Sequence, residues 1–269
     1  MLKDITFGQY YEGSSFIHKL DPRTKLLLLI AVITFIFLTG NVWSFLFSIL
    51  FVGLTLIVSR VPFGMYMKNV KAILPIVIFT AVINIFYGDG GKEIFSIWRL
   101  TVTTAGLYRA FYMAMRILLL ITISSALTYT TTPNDLTDAI EKLLSPLKIV
   151  HLGNAVHTLA MMMTIALRFI PTLVEETEKI MNAQKARGAD LESGNLIERV
   201  KALIPILIPL LISSVRRAYD LAEAMECRCY NGGEGRTRMK SLKFTLLDLT
   251  AALTCTAFGT GVILINHFF

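Results

Sequence analysis

Two short segments carry the residues best suited to chemistry with a partner. Ala183-Gln184-Lys185-Ala186-Arg187-Gly188 and Ala224-Met225-Glu226-Cys227-Arg228-Cys229 each set an arginine between two small residues, with an alanine one turn upstream. Small flanking side chains let another surface close around the guanidinium. Arginine keeps its charge when desolvated and presents a planar fork of donors, which a carboxylate can accept in bidentate fashion. A cation near a helix C-terminus is also favoured by the helix dipole, so one such arginine has an ordinary structural explanation. Two matching sites at the ends of two successive helices point further, to a pair of docking points.

Other chemistries lack their residues. No Gly-x-x-x-x-Gly-Lys-[Ser/Thr] loop occurs, and Gly90-Gly91-Lys92 runs into Glu93 rather than a hydroxyl residue, so the chain is not expected to bind ATP. Neither His-Glu-x-x-His nor Gly-x-Ser-x-Gly is present. His151 and His157 stand six apart with no carboxylate in the sequence pattern to complete a metal site, so no cofactor or metal is expected on this chain. Cys227 and Cys229 are too close for an ordinary disulfide and, with Cys255, read as reduced thiols. The net charge of +7 comes without a basic stripe interleaved with aromatics, which argues against nucleic acid.

Both arginines end long helical patterns. The first, about residues 154–187, spans roughly 50 Å at 1.5 Å per residue. It is apolar through Met161-Met162-Met163 and Phe169-Ile170, then charged from Glu175 onward, and Pro171 near the change predicts a kink. The second, about residues 196–230, has an apolar centre from Leu203 to Ile212 that holds Leu207 and Leu211 and is interrupted by Pro205 and Pro209. Beyond that centre, Arg216 and Asp220 form an i,i+4 pair. A turn at Gly188 and the segment Glu192-Ser193-Gly194-Asn195 separate the two helices. A shorter helix precedes them. Thr132-Pro133 opens it, Leu136, Ala139, Ile140, Leu143, Leu144 and Leu147 share one face, and it ends near Pro146. All three read as amphipathic helices that lie along a surface or dip into the inner leaflet rather than cross.

The rest of the chain is made for lipid. Residues are 54% hydrophobic and only 17% charged, against about 25% charged in soluble domains. A crossing needs about 20 apolar residues. Five spans are expected, at about residues 26–39, 42–59, 72–87, 105–130 and 244–268, the first two joined by Gly40-Asn41 as an antiparallel pair and the third followed by a turn at Gly88-Asp89-Gly90-Gly91. The fold class is therefore an all-α polytopic membrane protein with about five transmembrane helices and long amphipathic cytosolic helices. It divides into residues 1–131, 132–243 and 244–269. The first twenty residues are polar, so the first apolar segment is expected to stay as an anchor. Basic residues gather at Lys3, Lys19, Arg23, Lys25, Arg60, Lys68 and Lys71 and through residues 133–243, whereas the opposite loops hold Lys92 and Arg99. The bias places the N-terminus and the amphipathic segment in the cytosol and the C-terminus outside. Arg109 and Arg116 fall within the fourth span. Arg109 is near its outer end, and Arg116 is deep enough to face the bundle or a partner. The spans hold no central carboxylate, which counts against a stand-alone secondary transporter, and no catalytic constellation, which counts against an intramembrane enzyme.

Four segments, in order along nearly the whole chain, resemble the transmembrane T components of energy-coupling factor (ECF) importers. They are His18-Lys19-Leu20-Asp21-Pro22-Arg23-Thr24-Lys25, Thr131-Thr132-Pro133-Asn134-Asp135-Leu136, Ala186-Arg187-Gly188, and Cys227-Arg228-Cys229, where two cysteines stand in place of the usual alanine and glycine. The resemblance implies a non-catalytic subunit of the bacterial cytoplasmic membrane. It joins two cytosolic ABC-type ATPases, which carry the ATP-Mg, to a small membrane S component that binds the substrate. Arg187 and Arg228 would each dock one ATPase. Closure of the ATPase pair would move the coupling helices, and contacts through Leu136, Ile140, Met161, Met162, Leu207 and Leu211 would tilt the S component and release its cargo. The methionines fit that role, and they fit ordinary packing equally well. The implied cargo is a B vitamin, with cobalt or nickel as the alternative, and the sequence does not separate a shared from a dedicated module.

Overall fold

The computed structural model describes residues 10–86, 93–97, 100–145, 153–189, 195–231 and 242–268. The turn expected at Gly88–Gly91, the charges Lys92 and Arg99, His151, and the first three residues of the expected break at 192–195 lie outside the described residues. The elements are α1 (Phe16–Lys19), α2 (Pro22–Leu38), α3 (Val42–Ser59), α4 (Phe63–Phe86), β1 (Glu93–Ile97), β2 (Leu100–Thr103), α5 (Thr104–Thr130), α6 (Pro133–Leu144), α7 (Gly153–Ala186), α8 (Leu196–Glu226) and α9 (Leu246–Phe268). The chain is an all-α polytopic membrane protein, with one two-stranded antiparallel ribbon that the sequence reading lacked. Among the described residues, six helices are long and apolar enough to cross a membrane: α3, α4, α5, α7, α8 and α9. The first expected span, α2, has 17 residues and falls just short of that length.

The chain forms two units, residues 137–240 and residues 8–136 with 241–269. In the second unit, local chemistry sets the helix starts. Asp21 caps α2, accepting the N–H of Arg23 at 2.9 Å, and Pro22 fills the first helical position, where no N–H is needed. The Ser44 hydroxyl accepts the N–H of Asn41 at 3.2 Å, and Thr103 caps α5 through the N–H of Gly106 at 3.1 Å. Hydroxyls inside the apolar helices, such as Thr34, Ser48, Thr55 and Thr122, donate to the carbonyl four residues earlier. That is the local partner available where no water is present.

The Gly40-Asn41 turn reverses the chain, but α2 and α3 do not pair as expected. Each packs chiefly on α5 and α9. The core between these four helices centres on Phe258, which stacks on Phe51 at 4.1 Å and Phe47 at 5.6 Å and meets Phe35 edge-on at 6.1 Å. Val32, Ile36, Val52, Ile123 and Val262 complete it. A cleft of about 530 Å3 runs alongside, walled chiefly by apolar side chains of α1, α2, α3, α5 and α9, with Lys25 and Thr130 also in its lining. Helix α4 packs on α5, where Tyr66 meets Tyr129 edge-on at 5.2 Å and Asn69 donates to Ser125 at 3.1 Å.

Arg116 faces the bundle. Its Nη2 donates to the carbonyl of Thr39 at 2.8 Å, and its guanidinium lies over the Phe37 ring, 6.0 Å from the centroid. Thr39 is the C-cap of α2, so Arg116 satisfies an orphan carbonyl and opposes the negative end of that helix. Asn266 of α9 holds the same turn, donating to the Leu38 carbonyl at 2.7 Å and accepting from Ser44 at 2.9 Å. Arg109 is exposed.

Candidate functional site

The two arginines singled out by their neighbours occupy the same backbone structure. At the end of α7 the N–H of Gly188 donates to the Lys185 carbonyl at 3.0 Å, and the N–H of Ala189 reaches back to the Gln184 carbonyl at 3.0 Å. At the end of α8 the N–H of Cys229 donates to the Glu226 carbonyl at 2.8 Å, and the N–H of Tyr230 reaches the Met225 carbonyl at 3.1 Å. Both patterns are Schellman caps, with a 6→1 bond enclosing a 5→2 bond. Such a cap turns on a residue of left-handed conformation. Gly188 supplies it with φ 86° and Cys229 with φ 55°. The cysteine found where glycine is usual thus adopts the backbone that glycine would. Arg187 and Arg228 each precede that turning residue, and both are exposed, as are Ala186, Gly188, Cys227 and Cys229.

Three contacts fix how α7 and α8 lie against each other. Gln184 Nε2 donates to the Pro205 carbonyl at 3.3 Å, Arg217 Nη2 to Glu176 Oε2 at 2.8 Å, and the Tyr230 hydroxyl to Met161 Sδ at 2.9 Å. As the α7 partner moves back along its helix the α8 partner moves forward, so the helices are antiparallel. The two capped arginines therefore sit at opposite ends of the pair. Each is eleven residues from the Glu176–Arg217 ion pair, about 16 Å along its helix. The Gln184 bond has a local cause: Pro209 has no N–H to give the carbonyl four residues earlier, which is that of Pro205. The ion pair joins Arg217 to the other helix, rather than following the i,i+4 spacing of Arg216 and Asp220.

The residues expected to touch a membrane partner divide. Met162, Leu207 and Leu211 are 56%, 57% and 66% exposed. Leu207 and Leu211 belong to an apolar stripe that runs along α8 through Ile197, Val200, Ile204, Ile208, Val215 and Tyr219 with no partner within this unit. Ile206, Leu210, Arg217 and Leu221 are more buried on its other side. Met161 is half-buried under Tyr230, and Leu136 and Ile140 are half-buried on α6. His157 has the carboxylate that the sequence pattern did not suggest, with Nδ1 3.3 Å from Glu141 Oε1. No group of three metal-ligating side chains forms among the described residues.

Sequence reasoning missed the cross-helix bonds of Gln184 and Glu176, because no local spacing encodes them. The proline pair at 205 and 209 was the available signal for the first, since it announces a carbonyl without its helical donor.

A family described as cobalt transport protein, CbiQ, matches residues 13–239. A protein of Ruminiclostridium cellulolyticum described as energy-coupling factor transporter transmembrane protein EcfT is 52% identical over 269 residues, covering 100% of both chains. Proteins of the same description from Clostridium kluyveri and Bacillus subtilis are 53% and 45% identical, each over 254 residues. They cover 94% of this chain with 93% and 95% of their own lengths.

Proposed function

Because the chain belongs to the CbiQ family, as a transmembrane component of an energy-coupling factor transporter, we propose that it couples two cytosolic ABC-type ATPases to a small substrate-binding membrane protein, with Arg187 and Arg228 each docking one ATPase. The observation that carries this reading is the identity of the two caps. Two different sequences build one backbone geometry, present one exposed arginine each, and do so at equal distances from the centre of an antiparallel helix pair. An antiparallel pair has an approximate two-fold axis across it. A pair of similar ATPases related by a two-fold would meet equivalent arginines at its two halves. Each guanidinium would donate two parallel N–H bonds to a carboxylate in an ATPase groove. Nucleotide binds and is hydrolysed on the ATPases, and this chain's part is mechanical.

The exposed apolar stripe of α8, with Leu207 and Leu211, and Met162 on α7 form the surface that grips the substrate-binding protein. Met161, Leu136 and Ile140 would supply further contacts to it. Cargo is a B vitamin, with cobalt or nickel as the alternative class. The N-terminus and residues 133–243 lie in the cytosol.

The test is co-purification. The tagged chain, extracted gently from its own membranes, should bring down two ATPases and one or more small membrane proteins, and Arg187→Ala with Arg228→Ala should lose the ATPases. Equal ATPase recovery without both arginines would sink the docking role.

A second reading has one observation in its favour: α7 and α8 are long and apolar enough to cross a membrane as a hairpin. In that arrangement Arg187 and Arg228 would face opposite sides of the membrane, and no pair of cytosolic ATPases could reach both. A chain with its own cysteines replaced by serine and Ala183→Cys introduced separates the two. In intact spheroplasts a membrane-impermeant maleimide should label it only after permeabilisation; labelling without permeabilisation establishes the hairpin.

A further inference from the structure

The opening motif Asp21-Pro22-Arg23-Thr24-Lys25 makes bonds that its position at a helix start does not require. Lys25 is 6% exposed. Its ammonium donates to the Thr130 carbonyl at 2.8 Å, the His18 carbonyl at 3.3 Å and the Thr131 hydroxyl at 3.3 Å. All three of its N–H groups are thereby used. Two of the three acceptors lie where α5 ends, two or three residues before α6 begins. Asp248, 3% exposed, answers from the other direction. Its Oδ1 accepts the N–H of Asp21 at 2.8 Å and the hydroxyl of Thr24 at 2.7 Å, and its Oδ2 accepts both the N–H and the hydroxyl of Thr245. Arg23 Nη2 donates to the carbonyl of Leu242 at 3.2 Å, and its guanidinium lies over the Phe244 ring.

The placement of these bonds along the chain is what matters. Residues 137–240 form one unit, and the remaining described residues form the other. The chain passes between the units at 136–137 and at 240–241. The five-residue segment Asp21–Lys25 therefore binds the chain just before one junction and just after the other, within the second unit: Lys25 holds residues 130–131, and Arg23 and the Asp248 bonds hold residues 242–248. A buried charge with all its donors satisfied is costly to move, because any departure strips hydrogen bonds in a site shut off from water.

We infer that Asp21–Lys25 and Asp248 are positioning residues for energy coupling: they form a clamp that fixes both covalent junctions to the helix bundle, so that movement of the coupling unit is passed into α5 and α9 instead of being absorbed in slack chain. The inference rests on the coupling role proposed above. It adds the element that converts displacement of α7 and α8 into strain on the membrane helices. Without the clamp, Thr131-Thr132 between α5 and α6 and the stretch before Leu246 would act as flexible tethers.

The test uses the whole complex co-purified with the tagged chain, in nanodiscs, with hydrogen exchange measured with and without ATP-Mg alongside the rate of ATP hydrolysis. In the parent complex ATP should change exchange at residues 126–136 and 245–251. In Lys25→Met the complex should hydrolyse ATP at the parent's rate while the ATP-dependent change in both segments is lost. A merely structural role would instead lower ATPase recovery or raise exchange equally with and without ATP. Asp248→Asn, of the same size and still able to accept through its carbonyl oxygen, should lose the change at 245–251 and is the deciding variant where Lys25→Met does not assemble. An ATP-dependent change that survives in either variant overturns the inference, as does a parent complex in which ATP leaves both segments unchanged. Absence of ATPases from the parent preparation defeats the coupling role itself, and the clamp's role with it.

Discussion

Replacing Gly188 with alanine isolates the cost of the cap that presents Arg187. Gly188 has φ 86°, and an added Cβ would meet nothing within 4 Å. The substitution therefore creates no clash, and its whole penalty is the left-handed backbone, about 1–2 kcal/mol for a residue with a side chain. Part of this is offset because alanine also has less freedom in the unfolded chain, by about 0.4–1 kcal/mol. A net cost near 1 kcal/mol raises the open population of the cap about fivefold. The observable is amide exchange at Gly188 and Ala189, whose N–H groups close the cap on Lys185 and Gln184. After correction for intrinsic rates, exchange there should quicken about fivefold, while the middle of α7 stays as in the parent. The other cap supplies the opposite test. Cys229 already bears a side chain at φ 55°, so Cys229→Gly should slow exchange at Tyr230, whose N–H closes that turn. Unchanged exchange in both variants would refute the claim that the left-handed residue sets cap stability.

Two further outcomes follow from packing. Gly259→Ala should destabilise the bundle by about 1–3 kcal/mol in reversible unfolding in mild detergent, because the new methyl would fall on the Phe35 ring, which is already held edge-on against Phe258. Arg116→Leu leaves the Thr39 carbonyl without its donor and the end of α2 without its cation, a loss of about 1–3 kcal/mol in the same assay; full stability in this variant would show that water or lipid replaces the guanidinium.

The helices were legible where local signals and apolar length agree. Helix α3 runs over Val42–Ser59 as the sequence predicts, since Asn41 opens it and Arg60, with φ 54°, closes it. Helix α4 starts nine residues before its expected boundary. Lys68, Asn69 and Lys71 break the apolar run without breaking the helix, and Tyr66 and Asn69 are held by tertiary contacts with α5. The ribbon at 93–103 was missed although Phe95, Ile97, Leu100 and Val102 alternate, because five residues and four residues are short against the long apolar runs on either side. The expected pairing of α2 with α3 followed loop length. It fails because the aromatic core around Phe258 offers each helix a larger apolar surface on α9 than they offer one another. The arginine caps could be placed by composition alone. The bonds of Lys25 and Asp248 could not, since they join residues 105 and 227 positions apart. The motif was visible as one of the segments that carry the family resemblance, but the partners of its side chains were not.

The two caps also separate what the proposed docking would need from what a motif records. Ala186-Arg187-Gly188 and Cys227-Arg228-Cys229 share one residue of three, yet their hydrogen bonds have the same pattern and their turning residues the same hand. A left-handed conformation is cheap for glycine and costs cysteine about 1–2 kcal/mol, an amount that the two closing bonds of the cap, at about 0.5–1.5 kcal/mol each, can offset. What the two sites have in common is thus a shape and a charge: a helix that stops abruptly, small atoms around its last turn, and a guanidinium free to leave water. A partner that recognises this shape accepts either sequence, and a symmetric partner accepts both at once when the ends are equally spaced from the Glu176–Arg217 crossing. Under the proposed docking, the long helices and the prolines within α8 have one requirement in common, which is to hold two like ends at a fixed separation while leaving the apolar stripe of α8 uncovered.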